Sequence, residues 1–352
     1  MSDLEISQYS KLDFKKLLND EEFWIRGRLA ISRRRCISQT LNSRADDGDV
    51  LLITAYDKGR LIAYLGILPD LHFTAGHAPL KFGWLTTWWV DKTSVHRQAA
   101  AMMLYMAMER SSGRIAISSF SRDAKRVYDA TRRFQECARF ERVFFVMALP
   151  PKFRALSSAT RLLSHIKNKV LFGWKANCRE LETEVVQSFD QNLSSFINRW
   201  LNEDPLERDV SYWQWVLKYP WLSTTEEDEA AQKRYGFSIF AQRFEQLPVV
   251  VRRDGAIIAF LILNFRDWRL SLMYALYDPN DRADIAAALR IIILHLNPWV
   301  FVSSDSVLNA AIRRGVPFYL AALRREPVLV YASFSLSLGP RPQVGIGDNV
   351  FT

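Results

Sequence analysis

Two hairpins far apart in the chain constrain its fold more than any other feature. Val50-Leu-Leu-Ile-Thr-Ala-Tyr56 and Leu61–Leu68 flank the turn Asp57-Lys-Gly-Arg60, and Leu247–Arg252 and Ala256–Asn264 flank Arg253-Asp-Gly255. Short apolar, β-branched runs on either side of glycine-containing turns read as antiparallel strand pairs. The elements after each hairpin recur as well. After the first come a strand near Leu80–Val90, a helix about Arg97–Glu109, a strand about Arg114–Ser119, a helix about Ser121–Phe134 and a strand about Phe140–Leu149. After the second come a strand at Leu270–Tyr277, a helix at Asp284–Leu296, a strand at Trp299–Ser303, a helix at Ser306–Arg314 and a strand at Val328–Ser333. Helical spacing precedes both hairpins. It covers residues 12–45 (Phe14, Leu17 and Leu18, then Phe23, Ile25 and Leu29) in the first half, and Phe189–Leu201 and Val210–Leu217 in the second. The elements repeat although the residues do not, so two copies of one α/β unit in tandem is the economical interpretation.

A chain of 352 residues is long for a single core, and Pro150-Pro151 marks a break. The predicted organisation is a unit over 1–150, a basic helical linker over 151–185 with its helix about Phe153–Lys169, and a second unit over 186–352. The predicted fold class is α/β (α+β), each unit a mixed, mostly antiparallel central sheet flanked by helices. Apolar residues make up 49% and aromatic ones 13%, enough to fill two cores. Cys36, Cys137 and Cys178 show no metal or redox spacing and read as reduced thiols of a cytoplasmic protein. Residues 1–7 lack a basic start and an apolar run, so no signal peptide is expected. No stretch approaches the ~20 apolar residues of a membrane span.

The net charge of +9 is uneven. Residues 23–45 hold Arg26, Arg28, Arg33, Arg34, Arg35 and Arg44 and no acid. Residues 151–180 are basic as well, whereas Glu226–Glu229 is acidic. Such polarity suits an anionic ligand (a CoA phosphate, a nucleotide-sugar, an anionic lipid surface or RNA) and equally suits solvated helix faces.

The chemistry-bearing pattern lies at 80–142. A strand Leu80-Lys-Phe-Gly-Trp-Leu-Thr-Thr-Trp-Trp-Val-Asp91 is followed by His96-Arg-Gln-Ala-Ala-Ala-Met-Met-Leu104, then Ser121-Arg-Asp-Ala-Lys-Arg-Val-Tyr128 and Phe134. In that order these pieces resemble the acyl-CoA-binding half of a GNAT-superfamily acyltransferase. The resemblance implies that Trp89, Val90, Asp91, His96, Arg97, Gln98, Ala99, Ala100 and Ala101 hold acetyl-CoA or another acyl-CoA, with amides at a helix N-terminus cradling the pyrophosphate. The family carries glycines where this chain has alanines, which adds Cβ crowding. The resemblance makes Tyr128 the acid that protonates the departing thiolate, although the glycine before Phe134 is missing. Both segments have a second reading: an ordinary amphipathic helix at 97–109, and a tyrosine that anchors the core. Strand 80–91 offers Thr86, Thr87 and Trp88 to an acceptor, but no glutamate as base. His72 and His77, placed on the loop before it, are the histidines that could face an amine.

The second half adds Tyr212-Trp-Gln-Trp-Val-Leu-Lys-Tyr-Pro-Trp221 and Arg234-Tyr-Gly-Phe-Ser238, which suit sugar or base stacking and equally an interdomain core. The end, Val344-Gly-Ile-Gly-Asp-Asn-Val-Phe-Thr352, reads as a docking tail. Trp-Trp-Val-Asp in the first half, Tyr-Pro-Trp in the second and this ending resemble bacterial two-GNAT-domain proteins of cell-surface polysaccharide clusters and, more remotely, Fem-type transferases. That resemblance implies that Asp348 and Thr352 fold back to contact the acceptor. It also implies an N-acyltransferase moving an acyl group from acyl-CoA to an amine on an amino-sugar nucleotide or glycolipid precursor. Two alternatives remain: a Fem-like aminoacyl transferase using charged tRNA, and a non-catalytic GNAT-fold binding protein. The basic helix at 153–169 could rest on the anionic inner face of a membrane. No Walker loop, HExxH, GxSxG, Rossmann fingerprint or CxxC pair is present, and no metal is expected.

Overall fold

The computed structural model describes residues 4–26, 30–74, 76–96, 98–147, 181–232, 237–314, 320–339, 343 and 345–352. Arg28, Leu29, Arg97, Cys178, the basic segment expected as a helix over 153–169, the Arg234–Gly236 stretch and Val344 lie outside the described residues.

The first described element is a strand, β1 (Leu4–Ser10), where the sequence suggests that a helix comes first. Leu4 and Ile6 alternate with polar residues and pack on the sheet, and Leu4 stands opposite Asp57 of β2 (Val50–Asp57). Between them the helical stretch expected over 12–45 is divided into α1 (Lys11–Leu17), α2 (Glu21–Arg26) and α3 (Arg33–Thr40). Ser10 and Asp13 form a reciprocal capping box at the start of α1, and the Ser32 hydroxyl caps α3. β3 (Arg60–His72) closes the first hairpin at Lys58 and Gly59, both at positive φ.

Next along the chain are β4 (Leu80–Val90), α4 (Gln98–Arg110), β5 (Ile115–Ile117), α5 (Arg122–Thr131) and β6 (Phe134–Val146). The helix expected to reach Phe134 stops earlier because Arg132 turns left-handed (φ 53°), and β6 starts at Phe134 rather than Phe140. The second half holds β7 (Leu181–Val185), a strand with no clear sequence signal, then α6 (Gln191–Arg199), α7 (Val210–Lys218) and α8 (Glu226–Ala231). After these come β8 (Phe244–Arg253), β9 (Ala256–Arg266), β10 (Arg269–Tyr277), α9 (Arg282–Leu296), β11 (Val300–Ser303), α10 (Ser306–Arg313) and β12 (Leu320–Tyr331).

All twelve strands join one mixed, mostly antiparallel sheet in the order β1-β2-β3-β4-β5-β12-β6-β11-β10-β9-β8-β7. The last strands of the two halves are exchanged. β12 pairs with β5 (Leu329 opposite Ile117), and β6 pairs with β11 (Val300 opposite Val146). β6 and β12 also run antiparallel to each other along their lengths, from Leu320–Val146 to Tyr331–Phe134. The two halves therefore share a seam of backbone hydrogen bonds.

Side-chain alternation along the strands fills both faces. In β9, Phe260 and Ile262 join a core with Trp84, Trp213 and Phe351, while Leu261 and Leu263 pack with α9 and α10 residues such as Leu289 and Ile312. In the first half, α4 and α5 cover one face through Met103, Leu104, Ala107 and Tyr128, and Phe14, Ile31 and Cys36 cover the other around Tyr64. Among the described residues no helix is long and apolar enough to cross a membrane.

Candidate active site

β4 and β5 run parallel only over Gly83–Ile115 and Trp84–Ala116 and then diverge. Among the described residues no backbone group pairs with β4 beyond Trp84 on that side. Backbone N–H and C=O groups in an apolar surround need partners, and an extended ligand bearing amides would supply them. On its other edge β4 carries a bulge against β3. The register moves from Gly66–Thr86 to Tyr64–Trp89, which leaves Thr87 and Trp88 facing Leu65. Thr87 sits at φ 42°, a costly conformation for a β-branched residue.

The twist at Thr87 has a consequence for side-chain direction. Consecutive residues of a regular strand point to opposite faces, yet here both threonine hydroxyls meet one guanidinium. Arg35 of α3 donates from Nη2 to Thr86 Oγ1 (2.6 Å) and from Nη1 to Thr87 Oγ1 (2.8 Å). Its plane lies 4.0 Å over the Trp221 ring, with Phe237 at 5.4 Å. Gly66 makes room for this arrangement: a Cβ there would lie 2.5 Å from Thr86 Oγ1 and 2.6 Å from Arg35 Nη2. Arg35 is 0% exposed, and burial brings its guanidinium down to about 10, opposed by Asp348 and Tyr64. It stays charged at neutral pH.

The tail supplies the opposing charge. Gly347, at φ 58°, passes so close to β4 that a Cβ would meet the Trp84 ring at 3.3 Å and Ser118 Oγ at 3.1 Å. Asn349 Nδ2 donates to Ser118 Oγ (3.3 Å), just beyond β5. Between these two residues is Asp348, whose carboxyl burial pushes above the usual range against the pull of Arg35. Beyond it, Gln246 Nε2 and Asn264 Nδ2 donate to Val350 O (2.7 and 3.0 Å), and Phe351 stacks on Trp221 at 4.7 Å. Thr352 is partly buried, and its N–H reaches Asn349 O. The tail therefore docks at the divergence of β4 and β5, with Asp348 beside Arg35.

On the α4–α5 side of β4 the Trp88 indole packs 5.2 Å from the Tyr128 ring, and its Nε1–H is buried without a partner among the described residues. Tyr128 is 2% exposed among Trp88, Phe120 and Phe134, and burial pushes its hydroxyl well above the ordinary tyrosine value. Trp89 stacks on Tyr64 (5.6 Å), and Val90 packs into the α4 core. After β4, Asp91 is already engaged. It accepts from Thr93 N–H (2.8 Å) and Oγ1 (2.7 Å) and pairs with Arg60, contacts that hold it below the usual carboxylate range. α4 then begins at Gln98, so Ala99, Ala100 and Ala101 form its first turn. Ala99 is fully buried and donates to His96 O. His96 Nε2 stands 3.5 Å from Asp57 Oδ1, at the mouth of this turn. Its neighbour Arg97 lies outside the described residues.

Two histidines are not brought to this place. His77 is exposed on the loop before Leu80, seven strand steps from Thr87, roughly 23 Å along β4. His72 is not on that loop but ends β3. It is buried beside Phe334, its Nε2 accepts from Ser337 N–H (3.3 Å), and burial lowers its pKa. The aromatic run at 212–221 is mostly core: Tyr212, Trp213 and Trp221 are buried. Trp215 Nε1 and Trp221 Nε1 donate to Ser38 O (2.8 Å) and Ser38 Oγ (3.0 Å), tying α7 to α3. The arginine-rich stretch is partly structural too. Arg44 pairs with Asp70 and donates to Leu206 O and Glu207 O, and Trp84 Nε1 donates to Asp70 Oδ2 (2.8 Å). Sequence reasoning missed Arg35, Gly66 and Ser118. The one available signal for Arg35 was a cation in a segment without acids, followed much later by aromatic partners.

No family model matches the chain, and no curated protein matches it in sequence. Solved structures match it in shape. A GCN5-related N-acetyltransferase from Anabaena variabilis ATCC 29413 superposes with a TM-score of 0.51 at 10% identity, over 93% of this chain and 72% of that one. The N-myristoyltransferase of Saccharomyces cerevisiae, solved with bound myristoyl-CoA, gives 0.53 at 10% identity over 99% and 90%. A probable N-acyltransferase from Enterococcus faecalis V583 gives 0.51 at 9% over 94% and 73%. At such identities the likeness speaks for architecture alone: the chain has the GNAT fold.

Proposed function

We propose that the protein is an acyl-CoA-dependent N-acyltransferase whose donor lies in the split between β4 and β5. The observation that carries this reading is the free edge of β4 beyond Trp84, next to the N-terminus of α4. Pantetheine carries two amides in an extended chain, which suits an unpaired strand edge. His96 and the first-turn amides of Gln98, Ala100 and Ala101 would face the phosphates. The Trp88 N–H, which has no partner among the described residues, supports the reading as a donor that a bound ligand could satisfy. The acceptor would come from the opposite side of β4, where Arg35, Thr86, Thr87 and Asp348 gather.

The chemistry is then direct. A neutral amine attacks the thioester carbonyl carbon, the C–N bond forms, the C–S bond breaks, and the nitrogen's surplus proton passes to water, which in turn restores the proton that Tyr128 gives up. Strand N–H groups at the bulge stabilise the oxyanion. The thiolate takes a proton from the Tyr128 hydroxyl, which burial keeps protonated. On this reading residues 1–150 form the donor unit, and 186–352 with the tail shape the acceptor pocket for an amino group on an amino-sugar nucleotide or glycolipid precursor. The yeast relative's myristoyl-CoA makes longer acyl chains part of the question.

The test is a thermal-shift series with acetyl-CoA, longer acyl-CoAs and free CoA. Ligand at a hundred times its Kd should add about 2.7 kcal/mol of stability. If none of them shifts the transition while charged tRNA binds with strong salt dependence, the aminoacyl-transferase reading replaces this one. With acyl-CoA bound, Tyr128→Phe should lower kcat by about 100-fold with KM little changed.

A further inference from the structure

The geometry points to a binding groove for an uncharged saccharide beside the docked tail, where the non-reacting part of the acceptor lies. It rests on the acyltransferase reading for the word acceptor and on its own residues for the ligand class. The groove has a volume of about 820 Å³ and runs between the β7–α6 loop, the end of α7 and the start of β8, within the size range of small-molecule sites.

Its walls have a consistent chemistry. Three partly exposed rings come from separate places: Phe189 from the loop, Trp215 and Tyr219 from α7 and its C-terminus. Three glutamines stand among them: Gln187 and Gln214 are exposed and carry both donor and acceptor atoms, whereas Gln246 Nε2 is taken up by Val350 O. Flat apolar faces interleaved with groups that donate and accept match a pyranose, which presents C–H faces and a hydroxyl rim. Among the described residues the lining holds one cation, Lys218, and one anion, Glu245, so these side chains offer no net charge to a diphosphate or a nucleic acid.

A peptide is disfavoured by the strand edge itself. β7 stops at Val185, and Val186 N–H already occupies Pro248 O. Proline has no N–H, so of the described β8 residues only Phe244 and Gln246 remain on that edge to pair with an added strand. Packed rings lie between the groove and the site. Trp215, which lines it, packs 5.0 Å from Phe351, Phe351 stacks on Trp221, and Trp221 lies under Arg35.

Calorimetric titration of the full chain with cellotriose and triacetylchitotriose, with trialanine as the peptide control, tests this. At least one trisaccharide should bind with a millimolar Kd. Tyr219→Ala and Gln214→Ala, both at the groove surface, should weaken it about tenfold while leaving the melting temperature and acyl-CoA affinity unchanged. Absence of binding by both trisaccharides, equal binding by the variants, or tighter binding of trialanine overturns the assignment. Saccharide binding without any acyl-CoA binding sustains the groove and removes the acyltransfer reading instead.

Discussion

The sheet contains two places where parallel strands part, and the protein treats them differently. In the first half β4 leaves β5 after Trp84, and among the described residues its edge stays open. In the second half β10 pairs with β11 from Arg269 to Ser271 and then leaves it, but the chain fills the gap. Gln343 acts like a short strand: its Oε1 accepts from Ala275 N–H and its Nε2 donates to Ala275 O, both at 2.7 Å. Gly345 N–H donates to Met273 O (2.9 Å). One split is satisfied by the protein's own tail, and the other has backbone groups to offer. The same tail then crosses to the open split and sets Asp348 beside Arg35. A single segment therefore closes one site and furnishes the other.

The largest effect should come from crowding the Arg35 cluster on the other edge of β4, across from the open split. Gly66→Ala would push a methyl group into Thr86 Oγ1 and Arg35 Nη2, leaving a buried guanidinium without its hydroxyl partners. Removing the partners of a buried charge costs about 3–5 kcal/mol. Chemical denaturation of the variant should show that loss, and an acyl-transfer assay should show loss of the proposed activity. A Gly66→Ala protein of wild-type stability would mean that the Arg35 cluster is not packed as described.

Gly345→Ala should come next. Its Cβ would lie 2.8 Å from Met273 O, a backbone atom with little room to retreat, so the tail must shift at a cost of about 3 kcal/mol. The contrast between the splits sharpens if acyl-CoA affinity survives in this variant, because the filled split would then be structural only. Loss of donor binding would mean that the two splits are coupled through the tail.

Little of this contrast could be read from the sequence, for a physical reason. The two hairpins were legible because Lys58-Gly59 and Asp254-Gly255 encode their turns locally, and β4 was legible as a long apolar strand. β1 and β7 were missed because each is an edge strand, Leu4–Ser10 and Leu181–Val185, with only a few alternating residues. The exchange of β6 and β12 depends on partners far apart in the chain. The filling of the second split depends on one glutamine side chain imitating a backbone, and glutamine has no signature for that. Arg35 looked like one of six surface arginines. Its partners are two hydroxyls, a ring from the other half and a tail carboxylate, so no local pattern marks it. The tail was legible as a docking motif, and the resemblance pointed Asp348 and Thr352 back toward the first half, but the individual contacts with Trp84, Ser118 and Arg35 carry no local pattern.

A smaller effect tests how the second split is closed. Gln343→Ala removes two hydrogen bonds and leaves the Ala275 N–H and C=O without partners, which should cost about 2 kcal/mol. Gln343→Glu keeps the acceptor and loses the donor, so it should fall between the two. If both variants match the wild type in urea midpoint, the side-chain strand does not form and the second split is as open as the first.

The smallest expected effect separates the splits by pH, since of these tail contacts only the open one includes a titrating group. Asp348 titrates near 3.9 in an unfolded chain, and burial raises it in the folded protein despite Arg35. The folded state therefore binds this proton more tightly than the unfolded state. Stability linked to it is present below about pH 3.9 and is lost as pH rises through the folded value, after which the loss stays constant. Other groups share the wild-type acid transition, so the informative quantity is the difference between wild type and Asp348→Asn. That difference should move in favour of the variant as pH rises from about 4 and then level off. Gln343→Ala, which alters the other split, should give a difference that does not change with pH. A flat curve for Asp348→Asn would show that its carboxyl is solvated, and the charge assigned to the acceptor side of the open split would be lost with it.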